Sequence, residues 1–500
     1  MANQGVLIEP ATAAAGRGRA RVLWVWALVA LLGAWLVVYA ETLSFSWDEG
    51  FHLLTAQLIL RGKRPYLDFI FPQTPLNAYW NALWMRVFGD TWHTAHAVQA
   101  AGLIGAMILM VDYMLRRAPS REWRLAAGTA VALMIGLNTL IMQFGTLGQA
   151  YGFALLLIVA AFRLGVAAVE RSAWLVSALA GLCAGGAAAS TLLSAPVTPI
   201  LLLWIIVCNR AGQRWTKAAA FIAGVVAAFT PVILLFLKSP QVVIFNIIKY
   251  HLFYRQVEWP GAISHDIYVM FMWVNSGEGL CLFLLGAAGL YYVVFRSDWP
   301  RDRRREIYLC AWIAAGLAFH ISSAHPTFGR YYLLAVPFLG ILACIGLWWI
   351  SSRLYRADRP LLPLLLVGAI LVGDTGEVLY DERDNMKWSF VESVAKKVTE
   401  VTPATAPLLG DEQIFFLTRR PPPPEMTYGD SHKLQLPQSV MTAVHVASTE
   451  QLQKRMEAGM YSTAETCHND YIVDGGPKVY AQHVEMGDCD VYWDRKPPGQ

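Results

Sequence analysis

Two adjacent acids, Asp48 and Glu49, follow Trp47 just after the end of the first long apolar run, residues 23–40. A carboxylate in a partly dehydrated cleft has a tunable proton affinity, so it can act as a general base or as a metal ligand. The alternative is a solvated pair that only marks the end of a membrane span. The half-apolar, half-polar stretch 44–90 favours chemistry, because it has the composition of a structured loop. We therefore predict Asp48 and Glu49 as catalytic residues.

A second group of polar side chains follows the acid pair in the same loop and is expected to lie at the same depth at the membrane boundary. Further cations follow later in the chain. A guanidinium suits a phosphate because it can make charge-assisted, bidentate contacts. For Arg255 a lipid-headgroup contact is the alternative, and for Arg330 an anchor at the start of a span. The predicted substrate-binding residues are Lys63, Arg64, Tyr66, Gln73, His251, Arg255, His325, Arg330 and Tyr331.

Metal and nucleotide chemistry receive little support. His265, His320 and His325 are isolated in the sequence, without HxH or HxxxH spacing. A divalent metal ion is left open, with Asp48 as its ligand if one binds. The sequence has no P-loop, no GxGxxG after a strand, no GxSxG and no CxxC pair, so no nucleotide site is predicted.

The elements that position these residues are predicted to lie in a membrane. Of the 500 residues, 56% are hydrophobic, 15% are charged and 19 are Trp, and the mean hydropathy is +0.41. Apolar runs long enough to cross a ~30 Å hydrocarbon core recur along the chain, which predicts a polytopic α-helical membrane protein. We expect about eleven spans, near 22–41, 93–115, 125–144, 147–165, 173–191, 192–208, 218–238, 268–295, 307–323, 331–350 and 361–380.

The charge distribution predicts the orientation of these spans. Residues 381–500 carry 12 Lys and Arg against 18 Asp and Glu, a balance of −6, so the net charge of +4 leaves +10 for the remainder. That excess lies in alternate short loops such as RSDWPRDRRR (296–305), which indicates membrane orientation and not nucleic-acid binding. We expect residues 1–21 to be a disordered cytoplasmic N-terminus and the C-terminal residues to lie outside the cytoplasm.

Three parts are predicted: the N-terminus, a catalytic membrane domain at 22–380 with its first outer loop at 42–92, and a domain at 381–500. The last part lacks long apolar runs and mixes strand-like pieces with an amphipathic helix, which predicts a small extracytoplasmic α/β domain. A disulfide between its cysteines, Cys467 and Cys489, suits an oxidising compartment. Two unrelated thiols are an equal alternative.

The order of motifs around the acid pair resembles that of membrane glycosyltransferases of the GT-C fold. A span is followed by the D-E pair, a short helix, RGKRPYLDF (61–69), PQTPLNAYW (72–80) and FG. RYYLLAVPFLGIL (330–342) resembles the R-Y-x-L-P-x-x-P late span of that group. The similarity is closest to the bacterial protein-mannosyltransferase-like family, glycosyltransferase family 39 and its relatives. These include the lipid A aminoarabinose and galacturonosyl transferases.

The resemblance implies a multi-pass enzyme of the inner (plasma) membrane. Such an enzyme takes a sugar from a polyprenyl-phosphate donor at the outer face and passes it to an envelope lipid, glycan or protein. It implies that Asp48 is the catalytic base or metal-binding carboxylate and that Glu49 is the second acid. One departure is that the aminoarabinose branch has Glu-Lys before Pro-Pro-Leu, where this chain has Gln73-Thr74 before Pro75-Leu76. The sugar and the acceptor therefore stay open.

A lipid-linked-glycan transporter or flippase is the alternative function. It predicts ionisable residues inside spans and inverted hydropathy repeats. Here the acids cluster in the loops, which favours chemistry at the membrane surface.

Overall fold

The computed structural model of the protein describes residues 11–171, 173–209, 212–255, 261–355 and 359–497, with side chains from residue 22 onward. Of the N-terminal residues expected to be disordered, 1–10 lie outside the described ones, and the backbone of 11–21 forms the start of the first helix.

Up to residue 382, the described part of the chain consists of helices joined by loops. A 3-10 turn at Leu192–Ser194, another at Gly329–Leu334 and a π-helix at Phe245–Tyr254 interrupt the α-helices. The α-helices are α1 (Ala11–Thr42), α2 (Glu49–Leu60), α3 (Leu76–Phe88), α4 (Trp92–Arg116), α5 (Arg124–Gly136), α6 (Thr139–Gly145), α7 (Tyr151–Glu170), α8 (Trp174–Ser190), α9 (Val197–Cys208), α10 (Arg214–Ala228), α11 (Thr230–Lys238), α12 (Pro240–Ile244), α13 (Ala262–Asn275), α14 (Gly277–Phe295), α15 (Arg301–Ser322), α16 (Val336–Leu354) and α17 (Leu361–Glu382).

The C-terminal part combines helices with a four-stranded sheet of order β1-β2-β4-β3, in which only β1 and β2 run parallel. Cys467, just after β2, and Cys489, the first residue of β4, form a disulfide. The elements are α18 (Trp388–Val401), β1 (Leu408–Leu409), α19 (Glu412–Thr418), α20 (Gln438–Ala443), α21 (Thr449–Glu457), β2 (Thr463–Thr466), α22 (Asp470–Val479), β3 (Tyr480–Met486) and β4 (Cys489–Arg495).

Within the described residues, six helices are long and apolar enough to cross a membrane, or up to eight if each of two bent pairs is one span. The six are α1, α4, α7, α14, α16 and α17, and the bent pairs are α5–α6 and α10–α11. Three further predicted spans coincide with α8, α9 and α15. The helices α8 and α9 are apolar but shorter, and the first turns of α15 are charged. Large apolar side chains are exposed along these helices, including Leu361 (68%) and Phe319 (78%), as expected of surface that lipid covers. The count of eleven spans stays a prediction.

Polar caps explain two of the breaks within predicted spans. The side chain of Asn138 accepts a hydrogen bond from the N–H of Ile141 and starts α6. Ser276 does the same for the N–H of Gly279 and starts α14. The prediction of one continuous span over 268–295 is therefore wrong, because that segment contains the end of α13 and the start of α14.

Glycines let the membrane helices approach closely. A Cβ at Gly224 of α10 would lie 2.0 Å from the carbonyl oxygen of Ala178 in α8, and one at Gly181 of α8 would lie 1.9 Å from that of Phe221. Small residues at a helix interface allow backbones to touch in this way, and van der Waals packing is the main attraction between helices in lipid.

The first loop and the C-terminal part share one hydrophobic core. Phe51 and Leu54 of α2 belong to the same buried cluster as Trp388, Phe415 and Val491 of the C-terminal part. The C-terminal part therefore packs on the first loop as one unit with it.

Gly224→Ala is expected to lower the melting temperature in detergent by several degrees, because the new methyl group must push apart two backbones, and overpacking costs about 1–3 kcal/mol. Gly373→Ala in α17 is the matched control, since no atom lies within 4 Å of its Cβ position. Equal thermal stability of the two variants would contradict this close α8–α10 contact.

Candidate active site

Asp48 lies at the junction between the first span and α2. Its carboxylate accepts a hydrogen bond from Nη2 of Arg330, which follows α15. The side chain of Asp48 is 43% exposed, whereas that of Arg330 is 17% exposed. Burial tends to lower the pKa of Arg330, but Asp48, Tyr151 and Tyr331 together outweigh burial and the pKa is raised. Arg330 therefore stays charged and fixes the direction of the Asp48 carboxylate.

A polar cavity of about 760 Å³ opens in front of this ion pair. Its walls come from the first loop, the π-helix, the 3-10 turn with Arg330, and the C-terminal part. The residues that line it include Trp47, Asp48, His52, Gln73, Tyr151, His251, Arg255, Phe328, Arg330, Tyr331, Asn385, Tyr428, Asp430 and Asp488.

A second cavity, of about 350 Å³, adjoins the first and is mainly apolar. Ile247, Ile248 and Leu252 of the π-helix line it, opposite Leu192 and Leu193. The residues common to both cavities are His52, Gln73, Tyr151, His251, Arg255 and Tyr331.

Arg255 is the cation at the junction of the two cavities. Its Nη2 donates to the hydroxyl of Tyr331 at 3.0 Å, and its Cζ lies 5.3 Å from the ring centre of Phe328. Burial tends to lower the pKa of Arg255, but Tyr331, Tyr250 and Tyr428 together outweigh burial and raise the pKa. An anion at this junction would meet an oriented guanidinium.

Two histidines beside these cations, His52 and His251, are neutral near pH 7. Burial, with a smaller effect of Arg330, lowers the pKa of His52 to about 3. Burial and then Arg255 lower the pKa of His251 to about 4. Nε2 of His251 bonds the carbonyl oxygen of Pro72 at 2.8 Å. Nδ1 of His52 is buried and has no hydrogen-bond partner among the described residues, although a buried polar atom normally has one. His52 is therefore suited to contact a ligand.

Glu49, predicted as catalytic, lines neither cavity and is fully buried. Its Oε1 accepts a hydrogen bond from the N–H of Gly148 at 2.5 Å and lies 2.7 Å from Nε2 of His96. Its Oε2 accepts from Nε1 of Trp388 at 3.1 Å. The structure therefore separates the two acids: Glu49 is the first residue of α2 and its side chain points into the protein, whereas Asp48 points into the cavity, and the catalytic role of Glu49 stays a prediction.

Three other predicted substrate-binding residues, Lys63, Arg64 and Tyr66, also lie outside both cavities. Arg64 is exposed and pairs with Asp68. Tyr66 is buried, and its hydroxyl donates to the carbonyl oxygen of Gln73 at 2.5 Å. These residues follow the C-terminal end of α2, which lies away from the cavities, so only Gln73 returns to them.

The other predicted residues lie together: Gln73, His251, Arg255, Arg330 and Tyr331 line the polar cavity with Asp48, and His325 lines the apolar one. Sequence reasoning missed His52, whose spacing of four from Asp48 indicates the same helix side. It also missed Tyr428 and Asp430, for which the sequence has no signal, because only tertiary packing brings the C-terminal part to the first loop. Tyr151, the first residue of α7, also lines both cavities.

The donors around Asp48 do not fit a divalent ion. Among the described residues, the only three His, Cys, Asp or Glu side chains whose ligand atoms lie close together are Glu465, Cys467 and Cys489, and both cysteines are in the disulfide. The partner of Asp48 is the guanidinium of Arg330, a poor neighbour for a cation.

An ion pair stabilises the wall behind Trp47. The ring centre of His468 lies 5.3 Å from that of Trp47, and its Nδ1 lies 3.3 Å from the carboxylate of Asp411. Burial tends to lower the pKa of His468, but Asp411, Glu412 and Asp430 together outweigh burial and raise the pKa to about 9.

Comparison with known proteins identifies the fold. No protein family matches the sequence, and no curated protein is significantly similar to it. Among solved structures, ArnT from Cupriavidus metallidurans bound to undecaprenyl phosphate is 14% identical, with a TM-score of 0.68 over 94% of this chain and 97% of that one. The apo state of that protein is also 14% identical, with a TM-score of 0.69 over 94% of this chain and 98% of that one. The chain therefore has the GT-C fold that its motifs predict.

Glu49→Gln is expected to destabilise the protein by about 3–5 kcal/mol, because an amide nitrogen cannot replace an oxygen that accepts buried hydrogen bonds. Thermal unfolding and protease sensitivity of the C-terminal part measure this loss. Glu41→Gln is the control, since Glu41 also pairs with a histidine, His93, but both are partly exposed. A Glu49→Gln protein as stable as the control would contradict the view that the hydrogen bonds of Glu49 to His96, Gly148 and Trp388 stabilise the fold.

Stability that depends on His468 is expected to fall as the pH rises. A folded-state pKa of about 9, above the unfolded value of ~6.5, means that this contribution is complete below about pH 6.5 and is lost as the pH rises through about 9. Melting curves between these limits should show a weaker pH dependence for His468→Gln than for the unchanged protein. His483→Gln, at a more exposed ion pair, is the control, and an equal effect of both variants would contradict the prediction.

Proposed function

We propose that this protein is an integral membrane glycosyltransferase that moves a sugar from a polyprenyl-phosphate donor to an acceptor hydroxyl. The observation that carries the proposal is the pair of adjoining cavities, one apolar and one polar, that meet at Arg255. A lipid-linked sugar has the same division into an apolar chain, a phosphate and a polar sugar.

The donor fits this arrangement with its prenyl chain against Ile247, Ile248 and Leu252 and its phosphate at Arg255. Arg255 and the Tyr331 hydroxyl supply hydrogen bonds to an anion there. The structural likeness to ArnT supports the donor class, because one of those structures holds undecaprenyl phosphate.

Asp48 acts as the general base in this proposal. Its carboxylate takes the proton of the acceptor hydroxyl, the hydroxyl oxygen bonds to the anomeric carbon, and the bond from that carbon to the phosphate oxygen breaks. The electron pair leaves with the polyprenyl phosphate, whose added charge Arg255 stabilises. Arg330 holds the carboxylate in position. His52, neutral and with an unpaired Nδ1, suits a sugar hydroxyl at the junction.

The acceptor is an envelope lipid, glycan or protein that enters through the polar cavity. Asp430 and Asp488 line the cavity wall formed by the C-terminal part, together with Asn385 and Tyr428. Two carboxylates at this wall repel an anionic group, so the reacting end of the acceptor is uncharged there. Trp47 and Phe328 offer apolar faces for a sugar ring.

The reaction takes place at the outer face of the plasma membrane, with the N-terminus in the cytoplasm. Support comes from the basic loops, which lie at the ends of the spans away from Asp48 in the predicted topology. A reporter fused to the C-terminus should read outside the cytoplasm, and a cytoplasmic signal would overturn the orientation.

Asp48→Asn is expected to lower sugar transfer at least ~100-fold, because an amide cannot accept the proton. Measurement uses purified protein in nanodiscs with cell-envelope extract as the source of donor and acceptor. Asp68→Asn is the control, since Asp68 lies in the same loop and pairs with an exposed arginine. Full activity of a folded Asp48→Asn protein would remove Asp48 from the mechanism.

The transporter alternative has its own outcome in the same system. It predicts movement of a fluorescent polyprenyl-phosphate sugar between leaflets without transfer, equally fast in the Asp48→Asn variant. That result would overturn the proposed function.

A further inference from the structure

A histidine and a buried aspartate form a pair at the apolar cavity. His325, in the turn that follows α15, lines that cavity, and its side chain is 41% exposed. Its Nδ1 lies 2.5 Å from Oδ2 of Asp266, on α13. No hydrogen bond joins its Nε2 to any described residue, so this nitrogen is free to meet a ligand.

Asp266 is held rigidly. It is 3% exposed, and its other carboxylate oxygen accepts a hydrogen bond from the N–H of Thr327 at 2.7 Å. His265, its neighbour on α13, bonds the carbonyl oxygen of Thr327 at 3.1 Å. Three bonds thus tie the turn to α13, and Asp266 fixes both the position and the tautomer of the His325 ring.

Positive charge is scarce in the apolar cavity. Among the described residues that line it, Arg255 is the only arginine or lysine. His52 and His251 are neutral because burial lowers the pKa of each. A phosphate in this cavity would meet one guanidinium, and His325 is the lining histidine that already has a carboxylate partner.

We propose that His325 is a second phosphate contact for the lipid-linked donor and that Asp266 is its positioning residue. This inference rests on the proposed function.

The chemistry requires both ring nitrogens to carry hydrogen. Asp266 accepts from Nδ1–H and a phosphate oxygen accepts from Nε2–H, so the imidazolium lies between two anions. The donor phosphate is a diester with one charge, whereas the departing polyprenyl phosphate is a monoester with up to two. His325 therefore stabilises the leaving group more strongly than the donor, which is what accelerates transfer.

Other titratable and charged groups lie near the ring, and their effects must be separated from it experimentally. Those that line the same cavity or face the turn are His52, Tyr151, His251, Arg255, His265, Asp266, His320, Arg330, Tyr331 and Tyr332.

The test measures binding of decaprenyl methyl phosphate, a diester without a second acidic proton, to the full-length protein in nanodiscs. For the unchanged protein we expect affinity to fall roughly tenfold or more from about pH 6 to about pH 9, because only the imidazolium carries hydrogen on both ring nitrogens. His325→Gln should bind more weakly at low pH and lose most of this dependence. Asp266→Asn should also bind more weakly at low pH and show a smaller dependence, because Asp266 acts through His325. His265→Gln is the control, since it alters the same turn without lining the cavity.

The outcomes separate this inference from the proposed function. If the unchanged protein binds the diester with the same affinity at both pH values, or if His325→Gln keeps the full pH dependence, the inference is wrong and the proposed function stands. If the unchanged protein does not bind the diester at any pH, or if Arg255→Gln binds it as tightly as the unchanged protein does, the proposed function fails as well. Equal melting temperatures of the His325→Gln and His265→Gln proteins exclude misfolding as the cause of weak binding.

Discussion

The buried carboxylate of Glu49 connects three parts of the protein that are distant in sequence. It binds His96 on α4, the backbone N–H of Gly148 between α6 and α7, and Trp388 at the start of the C-terminal part. A buried carboxylate is stable only when its oxygens are well hydrogen-bonded, so these contacts have to form together. Because Glu49 starts α2, they also fix where Asp48 stands. The residue beside the proposed base thus fixes where that base stands.

This connection explains why the C-terminal part is a wall of the site and not an appendage. Its core is shared with α2 and α3, and its residues Tyr428, Asp430 and Asp488 complete the polar cavity. The polar cavity is therefore completed by residues of the C-terminal part, whereas the apolar cavity is lined mainly by the π-helix and the segments around Leu192 and His325.

Two arginines, Arg255 and Arg330, supply the positive charge among the described residues that line the two cavities. Two guanidiniums are kept charged by their neighbours, one beside Asp48 and one at the junction, while burial keeps His52 and His251 neutral. In a site of low dielectric each fixed charge acts strongly, so a few are enough to orient a base and a phosphate. A neutral imidazole beside them can contact a sugar without repelling either cation.

The sequence by itself determined the apolar spans, the acid pair at the end of the first one, and the GT-C fold, because hydrophobic length and local motif order are properties of neighbouring residues. It also indicated Asp48, Gln73, His251, Arg255, Arg330 and Tyr331, which the structure gathers around one polar cavity. Only the tertiary structure decided that Glu49 faces inward, that Lys63, Arg64 and Tyr66 lie away from both cavities, and that Asp266 supports His325. The direction of a side chain on a short helix depends on which partners are packed around it, and those partners come from segments up to some 340 residues away.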